Sequence, residues 1–168
     1  MRNSPSTTRG FSLIEMLVYV SVMVILAGAL IASFLSLNTT YARNATERAL
    51  MRGAQTSLER MTRDIMRADG VNVGLSSLDT SLGALAVTES ATTTRFYVSG
   101  DALMVSVNGV EQGPLTSDAV SVEDVVFHRF TSSTTDMVRV TLTLSAVSRV
   151  SSSTRTFYTS AVLRGTYE

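Results

Sequence analysis

One carboxylate stands inside the longest apolar stretch of the chain. Glu15 follows Phe11-Ser12-Leu13-Ile14, and from Met16 to Ala42 there is neither a charged residue nor a proline. An ionised side chain in a hydrocarbon setting costs at least a few kcal/mol on insertion scales, so Glu15 needs water or a partner. Both remain open from position alone: in the first turns of a membrane helix it reaches the cytoplasmic headgroups, and among packed apolar helices it needs a cation. The other residue types that carry chemistry point elsewhere. The chain has no cysteine, which excludes a disulfide framework, a zinc-thiolate site and a thiol nucleophile. His128 is the only histidine, and with just Glu123 and Asp124 nearby it reads as a strand residue and not as a metal ligand. No Gly-rich phosphate loop follows a strand, and no G-x-S-x-G elbow occurs. The sequence points away from an enzyme and implies no cofactor.

The elements that must position Glu15 follow from hydropathy. Residues 1–10, MRNSPSTTRG, form a polar leader with Arg2 and Arg9 and no acid. Residues 11–42 are long enough as a helix to cross a hydrocarbon core of roughly 30 Å. Arg2, Arg9 and the initiator amine place the N-terminus in the cytoplasm by the positive-inside tendency, against Arg43 and Arg48 on the far side. A cleavable secretory signal is the nearest rival, but its apolar region runs to only about 7–15 residues and lacks an internal acid.

Residues 43–168 change character. Leu50, Ala54, Leu58, Met61 and Ile65 form one stripe of an amphipathic helix, with Arg43/Glu47, Glu59/Arg63 and Arg60/Asp64 as i,i+4 pairs of opposite charge. The helix is expected to stop at Asp69-Gly70, with glycine as a left-handed cap. If continuous from Phe11 it spans about 90 Å. Beyond Gly74 the period becomes two. Val138, Val140, Leu142 and Leu144 alternate with polar residues, as Leu103, Val105 and Val107 also do. Asn108-Gly109 before Val110 signals a tight hairpin. Further strands are expected at Thr93–Val98, Val120–Phe130 and Arg155–Leu163, with Leu75–Ser90 an irregular connection. Short connections favour an antiparallel meander. The fold class is therefore α+β: a long N-terminal helix, transmembrane in its first half, packed along its second half on an antiparallel sheet.

Arg9-Gly10-Phe11-Ser12-Leu13-Ile14-Glu15-Met16-Leu17 closely resembles the cleavage and methylation site of type IV prepilins and pseudopilins. The resemblance implies that a membrane prepilin peptidase cuts between Gly10 and Phe11 and methylates the new amine of Phe11. It also implies that Glu15, at the fifth mature position, pairs with the N-terminal amine of a neighbouring subunit during assembly. The chemistry is consistent, since a buried ammonium and carboxylate together cost far less than either alone. Gly10 fits as well, because a residue without Cβ lets a protease backbone approach closely. The stretch Leu58–Ala68 and the β-rich region ending Val162-Leu163-Arg164 look like the J-type minor pseudopilins and related minor pilins. A membrane helix without proline, and the impossibility of a C-terminal disulfide loop, set the chain apart from many major pilins.

The implied function is that of a structural subunit, minor in its filament, in a pilus-like or type II secretion pseudopilus assembly. Its partners would be the peptidase, other pilin or pseudopilin subunits, an inner-membrane assembly platform and lipid. Its place would be the cytoplasmic membrane, with the head outside. Nucleic acid is not expected: net charge is zero, and the helix arginines Arg43, Arg48, Arg52, Arg60, Arg63 and Arg67 are interleaved with acids. The rival from another class is a single-pass anchored binding or sensor module that never polymerises. Glu15 discriminates, because an anchor has no use for a carboxylate there.

Overall fold

The computed structural model describes residues 12–132, 135–147 and 152–164. The chain divides into two units between Tyr41 and Ala42. A single helix, α1 (Leu13–Arg67), supplies 55 residues and belongs to both. Gly28 and Gly53 are its only glycines, each costing about 1 kcal/mol relative to alanine, and there is no proline to interrupt it.

The second unit adds eight strands: β1 (Gly70–Val71), β2 (Leu85–Glu89), β3 (Thr92–Ser99), β4 (Ala102–Val107), β5 (Val110–Pro114), β6 (Ser121–Thr131), β7 (Asp136–Val147) and β8 (Ser152–Val162), with a 3-10 turn at Val73–Leu75. All pairings are antiparallel and follow chain order. They fall into two sheets, β1-β2-β3-β4-β5 and β6-β7-β8. The alternation expected in β7 is realised: Val138, Val140, Leu142 and Leu144 are buried while Arg139 is exposed. Asn108 and Gly109 both take positive φ, 50° and 81°, as a primed two-residue turn demands. The Asn108 side-chain oxygen also accepts the Thr93 N–H at 2.8 Å.

Both sheets and the second part of α1 share one core. Leu50, Ala54, Met61, Ile65 and Ala68 pack with Phe96, Leu103, Phe127 and Leu142, all within a few per cent of complete burial. Leu58 lies only at the margin of this face. Ser57, three positions after Ala54 and four before Met61, takes the buried place on the stripe, and its Oγ donates to the Leu115 carbonyl at 3.4 Å. Along its side α1 is tied to β8: Glu47 accepts from Ser153 Oγ at 2.8 Å and from Arg155 at 3.4 Å, and the Thr62 and Thr159 hydroxyls lie 3.3 Å apart. The hydrogen bond from Ser153, then that from Arg155, holds the Glu47 carboxyl below its usual range.

Three local expectations give way to the sheets. The helix ends at Arg67, and Gly70 is not a left-handed cap but the first residue of β1, opposite Thr88. The ladder takes over one residue earlier, where the Asp69 N–H donates to the Thr88 carbonyl at 2.8 Å. Glu47 turns to β8 instead of Arg43, and Glu59 accepts from Gln55 at 2.9 Å; Arg60–Asp64 forms as expected at 2.8 Å. The stretch from Leu75 to Ser90 also contains β2. Its Leu85, Ala86 and Val87 are buried in succession, so the strand shows no alternation.

Residues 77–83 lie along the outer edge of β6. The Asp79 N–H donates to the Phe127 carbonyl and the Gly83 N–H to the Val125 carbonyl, both at 2.9 Å. Asp124 accepts from Ser81 Oγ at 2.7 Å and from the Leu82 N–H at 2.9 Å. Glycine is required at position 83, since a Cβ there would meet the Ser77 carbonyl oxygen at 2.6 Å.

Candidate functional site

The first turn of α1 opens at Ser12, whose carbonyl accepts the N–H groups of Glu15 at 3.0 Å and Met16 at 3.2 Å. Glu15 is thus the acidic residue of the first turn, where the partial positive charge of the helix N-terminus favours a carboxylate. Its side chain is exposed. Gly10 and Phe11 lie outside the described residues.

Leu13–Leu37 forms a 25-residue segment of mean hydropathy 2.5, long and apolar enough to cross a membrane. Apolar side chains occur on every side of it, and each side chain from Ser12 to Leu37 is exposed. A helix that is hydrophobic all round wants an apolar surrounding. Its polar atoms suit one. Ser21 Oγ donates to the Leu17 carbonyl at 2.8 Å, and just past the segment Thr40 Oγ1 donates to the Ser36 carbonyl at 3.0 Å. Hydroxyls closed onto their own helix ask nothing of lipid. The Glu15 carboxylate, an acceptor of hydrogen bonds, cannot be closed onto the helix carbonyls that way. Gly28 has open space where a Cβ would stand, room that a neighbouring helix could use.

Residues 5–31 match the family model of the prokaryotic N-terminal methylation motif. Over that stretch the chain is similar to type IV prepilins. The match takes in Gly10, Phe11 and Glu15 and ends inside the apolar helix. No curated protein and no solved structure matches the chain. The pilin-like character of the remainder therefore stands on architecture, a long N-terminal helix followed by antiparallel sheets.

The other singled-out residues of this pilin-like chain are engaged structurally. His128 Nδ1 lies 2.5 Å from Asp79 Oδ1, where it fastens the 77–83 loop to β6. Glu123 accepts from Ser145 Oγ at 2.5 Å, and Asp124 holds the same loop. Among the described residues no three metal-ligating side chains come together. The six helix arginines are exposed. Sequence reasoning missed the pair between Arg129 and Asp136, 2.6 Å apart near the connected end of the β6–β7 hairpin. Its signal was present as an acid and a base seven residues apart across a turn, but charge alone does not reveal burial. Burial by itself would raise the Asp136 carboxyl. The hydrogen bonds from Arg129 and Thr131, with the Arg129 charge, together outweigh it and hold the group below its usual range.

Proposed function

We propose that the protein is a structural subunit, minor in its filament, of a type IV pilus-like or secretion pseudopilus assembly. The observation that carries this is the coincidence of the methylation motif at residues 5–31 with an apolar helix whose only charge is Glu15. The precursor sits once across the cytoplasmic membrane, with N-terminus inside and head outside. Prepilin peptidase cuts after Gly10, and the Phe11 amine is methylated. An assembly platform then lifts the subunit out of lipid. In the filament the Glu15 carboxylate is surrounded by apolar helices and pairs with the Phe11 ammonium of an adjacent subunit. No other cation is available to it, because the mature chain has no basic residue before Arg43.

The test is processing. Gly10→Val or Gly10→Glu is expected to leave a full-length precursor in the membrane, because the peptidase subsite does not accept a larger side chain. Mass spectrometry of the wild-type mature chain is expected to find N-methylated Phe11 first. A mature terminus near Ala29 would overturn the reading in favour of a secretory signal.

A further inference from the structure

An open sheet edge offers unpaired N–H and C=O groups to any extended chain, and folded proteins usually blunt it. The two sheets of the head have four outer strands, and three are blunted. β1 is two residues long. β5 pairs through a register shift at Val105/Ser106 and ends in Gly113-Pro114, where proline has no N–H to offer. β6 carries a bulge between Val122 and Asp124 and is covered by residues 77–83. β8 is different. Its register with β7 runs unbroken through eleven pairs, from Ser152 to Val162. It contains neither proline nor lysine, and its one charge, Arg155, is matched by Glu47. Among the described residues, no hydrogen bond reaches its main chain except those of the β7 ladder.

A second observation lies beside that edge. α1 and β8 enclose a groove lined by Leu58, Thr62, Met66, Tyr158 and Thr159, with Gln55, Glu59 and Arg63 of the helix at it as well. Met66 is 54% and Tyr158 70% exposed, so apolar surface lies where the side chains of an added strand would fall.

We propose that β8 accepts an extended strand from a different subunit of the same filament, which becomes the fourth strand of the β6-β7-β8 sheet. This rests on the filament reading above. Partners for its main-chain donors and acceptors are what the edge lacks, so the occupant is a peptide strand. It is uncharged along the pairing, since β8 presents no unmatched charge, and its alternate side chains are apolar where they meet Leu58 and Met66. A second copy of this chain is a poor occupant. Glu47 meets Ser153 while Thr62 meets Thr159, so β8 and this part of α1 run in the same direction. Two β8 strands paired antiparallel would send the two Ala42 ends, each leading into an apolar segment, out at opposite ends of the pair. β1, β5 and β6 of a second copy are short or covered.

Hydrogen–deuterium exchange tests this on the full mature chain, in detergent and in sheared filaments. Peptides covering residues 152–162 are expected to gain protection of about tenfold or more in filaments, as paired amides do, with β5 and β6 unchanged. Equal exchange of β8 in both states overturns the proposal while leaving the filament reading intact. Concentration-dependent protection of β8 in the purified chain overturns it in favour of self-pairing. Absence of the chain from filaments overturns both. As a variant, Thr154→Lys with Thr156→Lys places charges along an exposed edge and is expected to cut incorporation about tenfold, with processing and melting temperature unchanged. Thr154→Ser with Thr156→Ser is expected to incorporate normally. Normal incorporation of the lysine pair sinks the proposal.

Discussion

On the filament reading proposed above, Glu15 meets two environments, and its first-turn position suits both. In the membrane it can hold water at the headgroups; among packed helices it must find a cation or take up a proton. Glu15→Val is therefore expected to be inserted and cleaved normally, since neither step uses the carboxylate, yet to enter filaments poorly beside wild-type subunits. Glu15→Lys is expected to be worse, because it opposes two like charges. Mobility shift reads processing and shearing reads incorporation in the same strain; wild-type assembly of Glu15→Val would remove the pairing mechanism and leave the cleavage assignment standing. In the head, Asp136 makes a pH prediction. Its folded carboxyl titrates below the ordinary value of about 3.9, so as pH falls the unfolded chain takes up the proton first. Its stabilising contribution is complete above that value and is lost as pH drops through the folded one. Asp136→Asn is expected to flatten the acid limb of a denaturation series run between neutral pH and pH 3. A variant as acid-sensitive as wild type would assign the limb to other carboxylates.

Among the elements, the face of α1 that meets the sheets sets a graded series. Met61 is fully buried, and Met61→Ala is expected to cost about 2–5 kcal/mol. Leu58 lies at the margin, and Leu58→Ala is expected to cost about 1 kcal/mol. Denaturant midpoints separate the two, and equal losses would mean that Leu58 packs as tightly as Met61. Gly83→Ala is expected to lift the 77–83 segment from β6, because the intruding methyl meets backbone oxygen, which cannot step aside as a flexible side chain can. Faster exchange of the β6 amides would register it. Where an element has one wet face, its pattern was readable: β4 and β7 showed themselves by alternation, and Asn108-Gly109 by turn chemistry. Where burial is two-sided the pattern vanishes, as at Leu85-Ala86-Val87. The turn between β2 and β3 was equally silent. Ser90 takes φ 55° there without glycine or asparagine, its N–H held by the Asp69 carboxylate at 2.5 Å. The motif at residues 5–31 was legible for the opposite reason: its meaning is local, a short run of residue types that needs no tertiary contact to be read.

For the molecule as a whole, the boundary at Tyr41/Ala42 marks where a test of independent folding of the head should cut. A chain beginning at Arg43 keeps every strand and the Leu50–Ala68 face, and is expected to be soluble and to unfold in one cooperative transition by calorimetry and circular dichroism alike. An aggregated or molten product would show that the apolar segment is needed for folding. The ties between α1 and β8 carry a consequence for the order of events during synthesis. Glu47 and Arg155 are 108 residues apart, Thr62 and Thr159 are 97 apart, and Leu163 belongs to the same core as Leu50. At ribosomal rates of about 5–20 residues per second, the last strand follows the helix by roughly 5–20 s. Until the last strand arrives, the apolar face from Leu50 to Ala68 has at most the first sheet, β1 to β5, to cover it, and lacks the complete β6-β7-β8 sheet. By then the membrane segment has long since been made. On the membrane reading proposed above, a nascent subunit is thus already attached to the bilayer while its head is unfinished, and its incompletely covered helix face waits at the membrane, where the concentration of other unfinished chains is governed by insertion and not by diffusion through the cell.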